Sequence, residues 1–307
     1  MVTTPISNRV AQIGGTVNTF QWQWQDRTLA IAYETRGSGS KVLLLPAFST
    51  VSTRMEMQGI AEQLAPHFQV VAMDWLGFGQ SDRPALDYQP HIYCQLLQDF
   101  LRAQFSQPVA VVAAGHAAGY AMQLAQQTPC PWSKMVLLAP TWKGPLRVMG
   151  VPTPVRNAVR ELVRSPRIGQ VLYTLNTTPA FLKFMYRQHV YVDANKLTPE
   201  FMQQKYDITQ QSGARYAPAA FVTGTLDPMQ SREEFLQIGQ GEDRQGGSLS
   251  VPTMVVIGEQ SPSQSKAEMQ ALAELPKVQK YTIAGSLGLH EEYANEVAAI
   301  VLPFLQN

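Results

Sequence analysis

Charge is scarce in this chain. Only 15% of its 307 residues are Asp, Glu, Lys or Arg, and 24 cations against 23 acids leave a net charge of +1. No long-range field of either sign is present to gather nucleic acid. Cysteine is scarcer still, with Cys94 and Cys130 alone. Two are too few for a disulfide scaffold or a cysteine-based zinc centre. Long apolar runs are missing as well: the stretches 42–48 and 109–114 fall far short of the roughly 18–20 residues of a membrane span. Residues 1–15 hold no apolar core flanked by basic residues, so no secretory signal is expected. What is plentiful is apolar material. Hydrophobic residues make up 45% and aromatics 9%, enough for a sizeable core and too much for a disordered chain. The expectation is a soluble, cytoplasmic protein of a reducing compartment, with peripheral contact to a membrane left open. Its length suits one large α/β domain carrying an insertion.

Phe20, Trp22 and Trp24 alternate with glutamine, the period of a half-buried strand, and 29–33 follows the same rule. The solid apolar runs 42–45, 69–75, 109–114 and 135–140 read as strands buried on both faces. Between them, 53–64, 91–105 and 119–127 read as helices. In the second, Ile92, Leu96, Leu97, Phe100 and Leu101 share one face. Such alternation implies a doubly wound, mostly parallel sheet. From 143 to 250 the pattern is helical without a buried strand. Strands at 253–258 and 278–284 and helices at 264–274 and 291–306 then resume the alternation. The expected organisation is a core of 1–142 and 251–307 interrupted by a helical cap, 143–250, whose Gly- and Ser-rich end at 243–250 loops back to the core.

Two motifs carry chemistry. Asp74-Trp75-Leu76-Gly77-Phe78-Gly79-Gln80-Ser81-Asp82-Arg83-Pro84 resembles the D-x-x-G-x-G-x-S-D-x-P segment of the α/β-hydrolase superfamily. Farther on, 109–114 runs into Gly115-His116-Ala117-Ala118-Gly119 and a helix, similar to the G-x-S-x-G nucleophile elbow between strand and helix. A strand turning sharply into a helix crowds its neighbours, so small residues flank an apex held in a strained conformation. With the order of strands, the resemblance covers nearly the whole chain and implies the α/β-hydrolase fold with a helical cap.

In that family a serine at the apex attacks an acyl carbon, a histidine takes its proton, and a carboxylate orients the histidine. The elbow spacing puts Ala117 at the nucleophile position. By resemblance the oxyanion amides are those of Phe48 and Ala118, although Pro46-Ala47 stands where the family usually has His-Gly. Ser261, in Gly258-Glu259-Gln260-Ser261-Pro262, occupies the acid position. The alternative site after the preceding strand, Thr141-Trp142-Lys143, offers no carboxylate either. Asp227 and Glu259 remain near the rim, and a turn or helix cap for the first and a solvated loop charge for the second explain them better. His290, in 285–290 before Glu291-Glu292-Tyr293, matches the base, with a structural packing or capping histidine as its rival. His116 reads as a packing residue. His67, His91 and His189 lack ligand spacing, so neither a metal nor a cofactor is expected.

The cap offers surface features. Arg156, Arg160 and Arg164 recur at i+4, which predicts one exposed basic face able to dock an anionic membrane or an acidic protein. The rival is a solvated helix whose apolar side rests on the core. Phe181, Phe184, Met185 and Tyr186 are candidates for a pocket lining suited to an apolar small molecule. The reading is a non-catalytic pseudohydrolase that binds an apolar molecule or a partner through its cap, without nucleic acid. Two alternatives stand beside it: an enzyme of altered mechanism with His290 as general base, or a serine ester hydrolase if Ala117 is an engineered replacement of serine.

Overall fold

A computed structural model describes residues 9–237 and 251–307. Eight strands form one sheet: β1 (Thr16–Trp24), β2 (Arg27–Arg36), β3 (Lys41–Leu45), β4 (Gln69–Met73), β5 (Val109–Ala114), β6 (Trp132–Leu138), β7 (Thr253–Gly258) and β8 (Val278–Ile283). Their order is β1-β2-β4-β3-β5-β6-β7-β8. The hairpin β1–β2 and the β2–β4 contact are antiparallel, and every other pair is parallel. This is the doubly wound, mostly parallel sheet that the alternation implied. The central strands bury nearly every side chain because helices cover both faces, which is why they read as unbroken apolar runs.

Core helices follow the strands: α1 (Gln58–Leu64), α2 (Pro90–Gln104) and α3 (Ala117–Ala125). Between β6 and β7 the described chain is helical: α4 (Pro145–Val148), α5 (Thr153–Arg164), α6 (Ile168–Leu175), α7 (Pro179–Met185), α8 (Pro199–Thr209), α9 (Tyr216–Val222) and α10 (Arg232–Gln237). The expected return loop at 243–250 lies outside the described residues. The chain closes with α11 (Ser263–Ala273), α12 (Leu289–Glu292) and α13 (Ala294–Gln306).

The inserted helices have their own apolar cluster, in which Leu182, Tyr186, Tyr191, Leu197 and Met202 pack on Val51 of the loop after β3. Polar ties add to this contact. Lys205, almost fully buried, meets Glu291 at 2.7 Å. The Glu292 carboxylate accepts from the amides of Val192 and Asp193, and the amide of Gly288 donates to the Val190 carbonyl. The cap is thus fastened to the segment just around His290.

Candidate active site

The strand-to-helix turn sits two residues earlier than the sequence pattern suggested. Gly115 has φ +52°, the left-handed region that penalises any residue with a Cβ. His116 is already right-handed at φ −65°, and Ala117 is the first residue of α3, which begins at 117 and not at 119. The strained apex is therefore Gly115, flanked two residues away on each side by Ala113 and Ala117. Ala117 is a small flanking residue, fully buried, and not the apex. The expected pairing of Gly115 with Gly119 misled because Gly119 is small for another reason. A Cβ there would lie 2.3 Å from Cγ of Pro228, so this glycine admits the 224–228 loop.

The oxyanion expectation shifts with the turn. The Ala118 amide donates to the Gly115 carbonyl at 3.2 Å and is part of the turn itself. The first amide after the apex is that of His116. Phe48 lies in the loop after β3, beside the elbow: a Cβ on Gly115 would stand 3.1 Å from Cβ of Ala47 and 3.8 Å from Oγ1 of Thr141. That loop is braced by the Trp75 indole, which donates to the Pro46 carbonyl at 2.9 Å, and by the Ser52 hydroxyl on the Ala47 carbonyl. The Phe48 ring is buried among Trp75, Phe78, Tyr93 and Tyr120, with centroids 5.0–5.4 Å away.

His290 is buried, and its Nε2 meets Oε2 of Glu56 at 3.1 Å. Glu56 closes a single helical turn, Arg54–Met57, whose N-cap Thr53 and third residue Glu56 form a capping box. Its other oxygen, Oε1, accepts from the Thr53 amide at 3.4 Å. Nδ1 of His290 and Oγ of Ser261 are both buried without a hydrogen-bond partner among the described residues. They stand on neighbouring loops, since the Gln260 amide donates to the Gly285 carbonyl and the Leu289 amide to the Ser286 carbonyl. Neither Ser261 nor any other described side chain makes a hydrogen bond to Nδ1 of His290. The carboxylate that His290 does have lies on its other nitrogen. Above the pair, burial raises the Tyr186 hydroxyl well beyond the ordinary phenol value, and Glu291 and Glu56 push in the same direction.

Asp227 and His116 form a second polar centre, which the turn-or-cap and packing readings did not anticipate. Oδ1 of the fully buried Asp227 accepts from the Gly144 amide at 2.7 Å and faces Nε2 of His116 at 3.1 Å. Its Oδ2 meets the Arg147 guanidinium at 2.9 Å. With the carboxylate on Nε2, the other ring nitrogen of His116 faces the Thr141 hydroxyl at 2.8 Å. Arg147 and Gly144 come from the start of the insertion and His116 from the elbow, so the network pins α4 to the elbow end of the sheet. Glu259 lies in an exposed loop, its amide on the Ile283 carbonyl, as a solvated charge would.

The D-x-x-G-x-G-x-S-D motif is structural in this chain. Asp74, fully buried, accepts from the amides of Arg54 and Gln80 and pairs with the Arg54 guanidinium. Arg54 also reaches Glu34 at 3.0 Å. Ser81 bridges the Asp74 carbonyl and the Ala32 amide, and Asp82 accepts from the Ala30 amide. The motif wires the loop after β4 to β2.

The cap residues do not gather into one lining. Phe181 and Phe184 are exposed at 38% and 55%, their rings 6.5 Å apart on the outer surface. Met185 is half-buried and only Tyr186 is enclosed, in the cluster against Val51. The three arginines do share a face, but that face is turned inward. Arg156 donates to the carbonyls of Val151 and Thr223, and Arg160 reaches Thr225, Asp87 and Glu161. Arg164 meets Asp87 at 2.8 Å. The expected exposed basic face is thus absorbed by internal partners, because a guanidinium at i, i+4 and i+8 finds carbonyls and Asp87 directly beneath it.

Geometrically, the end of the sheet holds a base-type histidine with a carboxylate and a turn without a side chain. Glu56 was missed by sequence reading, although Thr53-x-x-Glu56 carries the capping-box pattern that places it at a helix start. Nothing in the sequence linked it to His290, 234 residues away.

Comparison with known proteins follows from this geometry. The profile of the Alpha/beta hydrolase family matches residues 42–300. Uncharacterized proteins of Mycobacterium tuberculosis and Mycobacterium bovis are 34% identical over 108 residues, which is 35% of this chain and 31% of theirs. The chain thus spans about a third of the length of these relatives. A mutant haloalkane dehalogenase of Agrobacterium tumefaciens superposes with a TM-score of 0.72 at 16% identity, covering 97% of this chain and 100% of the other. A thermophilic esterase of Thermogutta terrifontis gives 0.70 at 18%, with 95% and 98% covered. A probable hydrolytic enzyme of Pseudomonas aeruginosa gives 0.71 at 16%, with 96% and 95% covered. At these identities the likeness is one of fold.

Proposed function

The chain belongs to the alpha/beta hydrolase family but turns its elbow on a glycine, and from this combination we propose a member without acyl-transfer chemistry, whose work is to bind an apolar molecule or a partner through its cap. The observation that carries the reading is Gly115 at φ +52°. The family needs a nucleophile at the strained apex, and glycine offers none. Loss of a triad serine costs on the order of a millionfold in rate. Ser261 in the acid position and Glu56 on the nitrogen that would serve a nucleophile point the same way. An esterase silenced by an engineered Ala117 fits less well, since Ala117 belongs to the first turn of α3.

One observation favours a second reading, an enzyme that moves protons. The Glu56–His290 pair is a carboxylate-supported base, and proton abstraction needs no nucleophile. Against it, both members are at most 5% exposed beneath the cap. The deciding experiment is a fluorophosphonate probe read by intact mass. No adduct is expected. A stoichiometric adduct on any hydroxyl, Thr141 beside the turn included, would overturn the proposal.

A further inference from the structure

Helix α5 is built the wrong way round for a helix covering a core. Its arginines face inward onto Thr223, Thr225 and Asp87, while Val155 and Leu162 are exposed at 50% and 44%. The next helices continue the apolar surface. Ile168, Val171 and Leu175 of α6 stand at i, i+3 and i+7, one helical face, and all are more than half exposed. Phe181 and Phe184 of α7 follow. Of the ten large apolar side chains exposed among the described residues, eight lie between 149 and 184, so the exposure is concentrated on this run of the insertion.

The charge around the patch has one sign. Positions 143–191 carry eight Lys and Arg and a single acid, Glu161, which Arg160 and Arg164 already engage. Arg167, Lys183 and Arg187, interleaved with the apolar residues in sequence, are exposed and form no ion pair among the described residues. A groove of about 370 Å³ lined by Ser165, Pro166, Arg167 and Ile168 opens at the corner between α5 and α6. Among the described residues no helix is long and apolar enough to cross a membrane.

We infer that the outer face of α5–α7 is a docking surface for an anionic lipid bilayer, with Ile168, Val171, Leu175, Phe181 and Phe184 entering the headgroup boundary and Arg167, Lys183 and Arg187 meeting lipid phosphates. A second copy of the chain is the poorer occupant. A two-fold contact sets the same patch against itself, which brings like cations together with no free carboxylate to answer them. An anionic surface answers every one. This inference rests on the reading of the cap as the binding element, and is independent of whether the elbow is silent.

The test is flotation of the full chain with vesicles of phosphatidylcholine alone and of phosphatidylcholine mixed with phosphatidylglycerol, at low and high salt. Binding is expected to the anionic vesicles only and to weaken with salt. Leu175→Asp and Phe184→Asp, on separate helices and both exposed, are each expected to lower partitioning by about tenfold or more while circular dichroism stays unchanged. Arg167→Gln with Lys183→Gln should weaken binding and flatten its salt dependence. Absence of binding to anionic vesicles overturns the inference, as does binding that ignores all these substitutions. A dimer in ultracentrifugation that Leu175→Asp dissociates would give the face to a second copy and overturn it as well. None of these results alters the outcome of probe labelling, so failure here and failure of the pseudohydrolase reading are told apart.

Discussion

Placing the apex at Gly115 has a consequence that separates it from Ala117 in one set of variants. Gly115→Ala and Gly115→Ser each put a Cβ at φ +52°, at a cost of about 1–2 kcal/mol for a left-handed residue. The new Cβ meets Cβ of Ala47 at 3.1 Å, closer than apolar carbons rest, so the true cost lies at the upper end of that range. Taking roughly 2 °C per kcal/mol for a chain of this size, Tm should fall by about 4 °C in both variants. Ala117→Ser has helical geometry and adds only a hydroxyl in a fully buried position, about 1–3 kcal/mol if that hydroxyl finds no partner. The catalytic readout differs more sharply. A nitrophenyl ester should remain near its background hydrolysis rate with Ala117→Ser. Gly115→Ser puts its hydroxyl at the apex, but no acid sits at Ser261, a defect of about ten-thousandfold in a serine protease triad. Weak turnover is therefore expected from Gly115→Ser and more from Gly115→Ser combined with Ser261→Asp. Differential scanning fluorimetry and ester hydrolysis on the same preparations complete the test. Strong hydrolysis by Ala117→Ser, or a Gly115→Ala variant as stable as wild type, would refute this placement of the turn.

Two further outcomes follow from buried titratable groups. Burial alone would raise the Glu34 carboxyl, but the amides of Gln12, Gly15 and Ile13 and the Arg54 guanidinium outweigh it and hold it below the ordinary carboxylate range. A carboxyl lowered by folding stabilises fully above its unfolded value and loses that contribution as pH falls through the folded one. Urea midpoints should therefore drop below the ordinary carboxylate range, and the Glu34→Gln variant should show a shallower acid slope; an identical slope would remove Glu34 from the account. Burial pushes the Cys94 thiol up to about 11. Since the thiolate is the reactive form, iodoacetamide at mildly alkaline pH should label Cys94 far more slowly in the native chain than in urea, as peptide mass mapping would read. Equal rates in both states would contradict the shielding of this half-buried thiol.

Much of the architecture was legible because it rests on local rules. Apolar runs such as 42–45 and 109–114 are strands wherever helices cover both faces, and the change to helical patterning after residue 143 marks where the sheet is interrupted. Elements of this kind depend on side-chain period alone. The elbow was legible as a region and misread in register, since Ala113, Gly115, Ala117 and Gly119 are all small at a spacing of two. Only the backbone separates the glycine that needs a left-handed φ from the one that makes room for Pro228. The arginines of α5 were legible as one face. Which way the face points depends on Asp87, the Thr223 carbonyl and the Thr225 hydroxyl in the loop after α9, brought there by folding.

The sequence by itself determined the order of strands and helices, the motifs that resemble the family, and the run of small residues around the elbow. These follow from residue type and short-range spacing. Tertiary structure decided that the apex is Gly115, that Glu56 holds His290 by Nε2, that Asp227 is drawn to His116 and Arg147, and that the cap turns apolar side chains outward. Each is a contact between residues far apart in the chain, whose strength comes from burial, hydrogen-bond geometry and charge pairing that exist only once the sheet has brought the two partners together.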